Sequence, residues 1–119
     1  MTSVLVVDDD PTLLRIIETV LTSAGLEVSA RNTAQAALRA AHTSRPDCAV
    51  LATGRDVTAS ELCHALRAAE DTADVPILLI TERGRWLEAA AAFDAGADDY
   101  LPKPFSAQDL VRRVEALAR

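Results

Sequence analysis

Three consecutive aspartates, Asp8, Asp9 and Asp10, follow a short β-branched run near the start of the chain. Adjacent carboxylates of this kind suit a hard cation such as Mg2+, which takes one or two protein carboxylates and completes its shell with water and phosphate oxygens. Two further residues fit the same chemistry. Thr81 follows the apolar run 75–80, and Lys103, the only lysine among twelve basic residues, stands between Pro102 and Pro104. A hydroxyl and an ammonium facing a cation are what a phosphoryl group needs. Each residue also has a plainer use. An Asp-Asp-Asp-Pro run caps a helix and complements its dipole, Thr81 caps the next helix, and Lys103 is a solvated loop charge. The functional reading holds only if the fold gathers these positions.

The elements that must position them alternate five times between strand and helix. Ser3, Val4, Leu5, Val6 and Val7 form a strand-like run, and Leu13, Ile17, Val20 and Leu21 then recur at helical spacing over 11–24. Pro11 sits where a first helical turn tolerates proline, and Gly25 supplies the stop. Residues 26–31 alternate apolar (Leu26, Val28, Ala30) with polar (Glu27, Ser29, Arg31), the period of a half-exposed strand. Behind the cap Thr33, Ala34, Ala37, Leu38 and Ala41 make a second helical stripe. The runs 48–52 (CAVLA) and 77–80 (ILLI) are apolar on both faces. Leu62, Leu66 and Ala69 mark a third helix between them, and Trp86, Ala90 and Phe93 a fourth, ended by Gly96. Residues 99–101 read as a short last strand. Ser106, with Asp109 three residues on, opens a final helix whose buried stripe is Leu110, Val114 and Leu117.

Five such units imply a parallel sheet with helices on both faces. Strands buried on both faces read as continuous apolar runs. The second strand alternates and the fifth is short, so both belong at the edges and the predicted order is 2-1-3-4-5. That order reverses between strands one and three, and ligands of open α/β sheets bind at such a switch point, beyond the carboxyl ends of the strands. Asp8, Asp9, Ala52, Thr53, Gly54, Thr81 and Lys103 all fall there.

Length and composition narrow the class. At 119 residues the chain is read as one domain, 1–119. It is half hydrophobic and a quarter charged, too apolar for disorder. No apolar run approaches the roughly 20 residues that span a bilayer, and no signal peptide precedes the first strand. A net charge of -6 argues against direct nucleic-acid binding. Cys48 and Cys63 lie in apolar stretches without metal-like spacing and read as buried thiols in a reducing, cytoplasmic compartment.

These motifs together resemble the receiver domains of bacterial two-component response regulators, over nearly the whole chain. VLVVDDD (4–10) resembles the family's first strand and acidic pair, PDCAVLA (46–52) its third strand, VPILLIT (75–81) its fourth, and AGADDYLPKPF (95–105) its fifth strand and Lys-Pro turn. The resemblance implies a flavodoxin-like, CheY-like five-stranded fold. It also implies metal carboxylates at Asp8 and Asp9 near Gly54, a phosphate-following hydroxyl at Thr81, an aromatic switch at Tyr100 and a phosphate-binding lysine at Lys103. The Lys103–Pro104 bond is expected to be cis. Asp98, Asp99, Arg112, Arg113 and Glu115 resemble the charged dimer face, on helix four, strand five and helix five, of receivers joined to winged-helix DNA-binding domains. The same charges also suit a solvated face. The partners implied are a histidine kinase, an output domain or a second copy.

One position departs from the pattern. The family's nucleophile is an aspartate at the end of strand three, and here that place holds Ala52. A methyl group can neither attack phosphorus nor ligate a metal. The following stretch TGRDVTAS (53–60) also departs and is read as one residue short; Asp56, within it, is poorly placed to substitute. With one carboxylate gone, Mg2+ is expected to bind weakly at best, and Lys103 to pair directly with Asp8 or Asp9. The leading reading is a non-enzymatic receiver that signals through protein contacts without phosphorylation. The alternatives are an ordinary receiver whose acceptor was replaced by engineering, and a flavodoxin-like cofactor binder, against which the absence of a Gly-rich phosphate loop argues.

Overall fold

The computed structural model describes residues 1–52, 59–82 and 84–119. Gly54, Asp56 and the rest of 53–58, most of the stretch read as shortened, lie outside the described residues. The elements run β1 (Ser3–Val7), α1 (Pro11–Ser23), β2 (Glu27–Arg31), α2 (Ala34–Thr43), β3 (Cys48–Ala52), α3 (Ala59–Ala68), β4 (Ile77–Glu82), α4 (Trp86–Asp94), β5 (Asp99–Lys103) and α5 (Ala107–Leu117). All strand pairs are parallel and the order is β2-β1-β3-β4-β5, with the alternating strand and the half-buried fifth at the edges.

Strand periodicity divides the core into two layers. Leu5, Val7, Ala49, Leu51, Ile77 and Leu79 point to one face, where α2, α3 and α4 close over them with Ala37, Ala41, Leu62, Leu66, Ala89 and Ala92. Val4, Val6, Val50, Ala52, Leu78 and Ile80 point to the other, packed by Ile17 and Leu21 of α1 and Leu110 and Val114 of α5. Burying each Leu or Ile side chain contributes about 1.5–3 kcal/mol, and the central strands do so on both faces. Cys48 and Cys63 belong to opposite layers, and both thiols are free and buried.

The helix starts follow local chemistry. Asp10 caps α1, its carboxylate accepting the N–H groups of Thr12 (2.9 Å) and Leu13 (3.4 Å), with Pro11 in the first turn. Thr33 and Ser106 cap α2 and α5 by accepting from Ala36 and Asp109. One local alternative does not hold. Thr81 caps no helix; it extends β4. In α4 the marker residues face outward: Trp86 is 70% exposed and Phe93 37%, while Ala89 and Ala92 turn inward. In a helix this rich in alanine, the small side chains allow close approach to the sheet and the aromatics are left outside.

Candidate functional site

The site grows from the strand ends. Val7 of β1 pairs with Leu51 of β3, so Asp8 and Ala52 emerge one residue further on, at the carboxyl edge of neighbouring strands. On the other flank Ala52 is in register with Ile80, and Thr81 with Pro102. This register carries Thr81 and the β5 end, Lys103, to the same edge. The fold therefore gathers Asp8, Ala52, Thr81 and Lys103, with Asp9 next along the chain.

Asp8 is the electrostatic centre of this edge. It is 1% exposed, and its Oδ1 accepts the Asp10 N–H at 3.0 Å. Its Oδ2 is buried without a hydrogen-bond partner among the described residues. Burial pushes the Asp8 carboxyl above the ordinary aspartate range, against the opposing pull of the Asp10 N–H and the Lys103 charge. The direct pair of Lys103 with Asp8 or Asp9 expected from the sequence is not among the ion pairs of the described residues; Lys103 acts on Asp8 through space. Thr81 is 3% exposed, and Ala52 is fully buried, its methyl group packed in the layer beneath α1 and α5. Lys103–Pro104 is cis, as expected.

An orphaned buried carboxylate oxygen is what a cation would meet, yet the rest of the donor set is thin. Ala52 offers no ligand, and no cluster of three or more His, Cys, Asp or Glu side chains able to hold a metal occurs among the described residues. These residues do not fit a tight Mg2+ centre.

The residues read as a dimer face are placed differently from one another. Asp98 stays exposed, and its carboxylate accepts from Ile77 N–H (2.8 Å) and Arg67 Nη2 (3.0 Å). Asp99 pairs with Arg113 of α5 at 3.2 Å, and Arg113 also donates to the Tyr100 carbonyl. Arg112 stays exposed. Tyr100 is 46% exposed and meets Phe93 edge-on, ring centroids 5.8 Å apart. Sequence reasoning missed Arg67. Its guanidinium bonds the carbonyls of Ala73, Val75 and Gly96, joining α3, the approach to β4 and the turn before β5.

With this geometry in place, the comparison with known proteins is direct. The response regulator receiver domain matches residues 4–115. The chain belongs to that family. Response regulator MprA of Mycobacterium leprae is 39% identical over 117 residues, covering 98% of this chain and 50% of its own length. The chain thus spans about half the length of the curated relatives it matches. Among solved structures, the chemotaxis response regulator CheY4 of Vibrio cholerae is 26% identical with a TM-score of 0.89, over 98% of each chain. The receiver domain of sensor histidine kinase PA1611 from Pseudomonas aeruginosa, with magnesium coordinated in its active-site cleft, is 28% identical at the same TM-score, over 98% of this chain and 97% of that one. Receivers of two-component response regulators are signalling modules, and this is one of them. No helix among the described residues is long and apolar enough to cross a membrane.

Proposed function

We propose that this receiver works as a signalling and protein-interaction module that bypasses aspartyl phosphorylation, in cytoplasmic transcription control. The observation that carries the reading is the Ala52 methyl, fully buried beside Asp8 at the strand end where the family resemblance places the acceptor. In support of this reading, Thr81 and Lys103 reach the same sheet edge as Ala52, and Tyr100 lies on β5 against Phe93; on this reading the switch outlives its trigger. A population between two states then responds to whatever binds one of them better. Asp8 and Asp9 hold Mg2+ weakly at best. No enzymatic turnover and no direct nucleic-acid contact is assigned to this domain.

The partner surface we assign is α4–β5–α5, a meeting place for an output domain, a kinase or a second copy. Trp86, Leu87, Phe93 and Tyr100 are all exposed there, in a chain holding only four aromatic residues. Incubation with a histidine kinase or acetyl phosphate, followed by intact-mass spectrometry, tests the main reading. The expected result is an unmodified mass, and a stable +HPO3 adduct overturns it. Ala52→Asp with Mg2+ and acetyl phosphate separates natural divergence from an engineered loss: slow or absent labelling is expected, and prompt labelling returns the chain to the ordinary receivers.

A further inference from the structure

We propose that the groove between α2 and the β1–β2 edge binds a small organic anion with a short apolar body. This site does not include the acceptor position. The cavity measures about 380 Å³, within the range of about 300–1,000 Å³ typical of small-molecule sites. Its origin lies in the sequence of α2, where Ala36 and Ala40 line the space and end at a methyl group. β2 supplies the facing wall. By strand alternation Glu27, Ser29 and Arg31 share one face, while Val28 packs into the opposite layer against α1 and α5. Leu5 of β1 adds an apolar surface.

Two arginines border this space. Arg31 and Arg39 both line it, and neither takes part in an ion pair among the described residues. Arg31 spends one donor on the Ala30 carbonyl at 2.8 Å, leaving the rest of its five N–H groups for a ligand. A guanidinium fork matches a carboxylate or phosphate bidentately. Two cations against the single acid Glu27 reverse the sign of a chain whose net charge is -6. The apolar surface of Leu5, Ala36 and Ala40 then selects a ligand with a hydrocarbon portion. The groove also communicates with the carboxyl edge: the Arg31 carbonyl accepts the Asp8 N–H at 3.2 Å. A ligand that grips the Arg31 side chain therefore steadies the backbone on which Asp8 rests.

Amide chemical-shift titration with octanoate, acetate and inorganic phosphate tests the site. Octanoate is expected to give saturable shifts concentrated at residues 27–31 and 36–44, with acetate and phosphate giving little. Arg31→Gln with Arg39→Gln should weaken octanoate at least tenfold. Ala40→Leu, which preserves helix propensity and fills the groove, should abolish it; this variant carries the test should the double variant lose its dispersed spectrum. Absent or scattered shifts, or unaltered saturation in Ala40→Leu, overturn the site. Equal shifts with phosphate overturn the apolar half of the ligand assignment.

Discussion

The Arg67 guanidinium meets the Asp98 carboxylate at 3.0 Å, and the same carboxylate oxygen accepts the Ile77 N–H at 2.8 Å. One residue of α3 thereby fixes the start of β4 and the turn entering β5. Because Arg67 also serves three carbonyls, Arg67→Met leaves several acceptors poorly satisfied. Partial solvent exposure of the pair moderates the loss, and about 2 kcal/mol is expected. Urea denaturation checks it: the midpoint should fall with the slope unchanged.

The contrast between this clasp and the sheet shows what the sequence makes legible. Strand order followed from which runs are apolar on both faces, and the site from Asp8, Thr81 and Lys103 standing where runs end. Both are local patterns. Arg67 reaches carbonyls at positions 73, 75 and 96, a set with no period, so no local pattern announces it. The same holds for Asp98, an exposed residue whose carboxylate nonetheless binds the Ile77 N–H and Arg67. In α4 the helical spacing of Trp86, Ala90 and Phe93 marks the helix correctly, but these residues stand on the face turned to solvent.

Gly96 is held to glycine by the same arginine. Its φ is +117°, and a Cβ there would lie 2.8 Å from Arg67 Nε and 2.9 Å from Arg67 Cγ. Bonded as it is, that side chain cannot swing clear. Gly96→Ala should cost about 2–3 kcal/mol. In an Arg67→Met background the cost should shrink, because the steric part is relieved and only the dihedral part remains. Thermal unfolding of the four proteins in a double-mutant cycle reads the difference.

Trp86 and Leu87 are 70% and 71% exposed, so their replacement costs the fold little. If α4 meets a second copy, Trp86→Ser with Leu87→Ser should shift sedimentation toward monomer while the melting temperature stays within about a degree. A wild-type protein that stays monomeric at high concentration removes the second copy from the proposed partners.

The thiols should be inert in the folded protein. Burial, with the Asp98 and Asp47 charges adding to it, pushes Cys48 up to about 12, and burial pushes Cys63 up to about 11 despite the opposing Arg67 charge. Only the thiolate reacts. Ellman's reagent at pH 8 should label neither thiol in buffer and both in guanidinium chloride. Rapid labelling of the native chain would contradict the packing of both layers.

Asp8 ties the site to stability through pH. Its folded pKa is raised above the ordinary 3.8 mainly by burial, so the folded state holds its proton more tightly than the unfolded one. Stability from this group is present at low pH and is lost as pH rises from the unfolded value through the raised folded value. Above that window the ionised carboxylate, with Oδ2 unpartnered among the described residues, is a standing cost. Asp8→Asn keeps an oxygen for the Asp10 N–H and removes the charge. It should stabilise the protein at pH 7 by about 1 kcal/mol, with the gain vanishing as pH falls below the ordinary aspartate value. Denaturant midpoints of both proteins across pH 3–8 test this. A gain that persists undiminished at pH 3 would show that the buried charge is not its source.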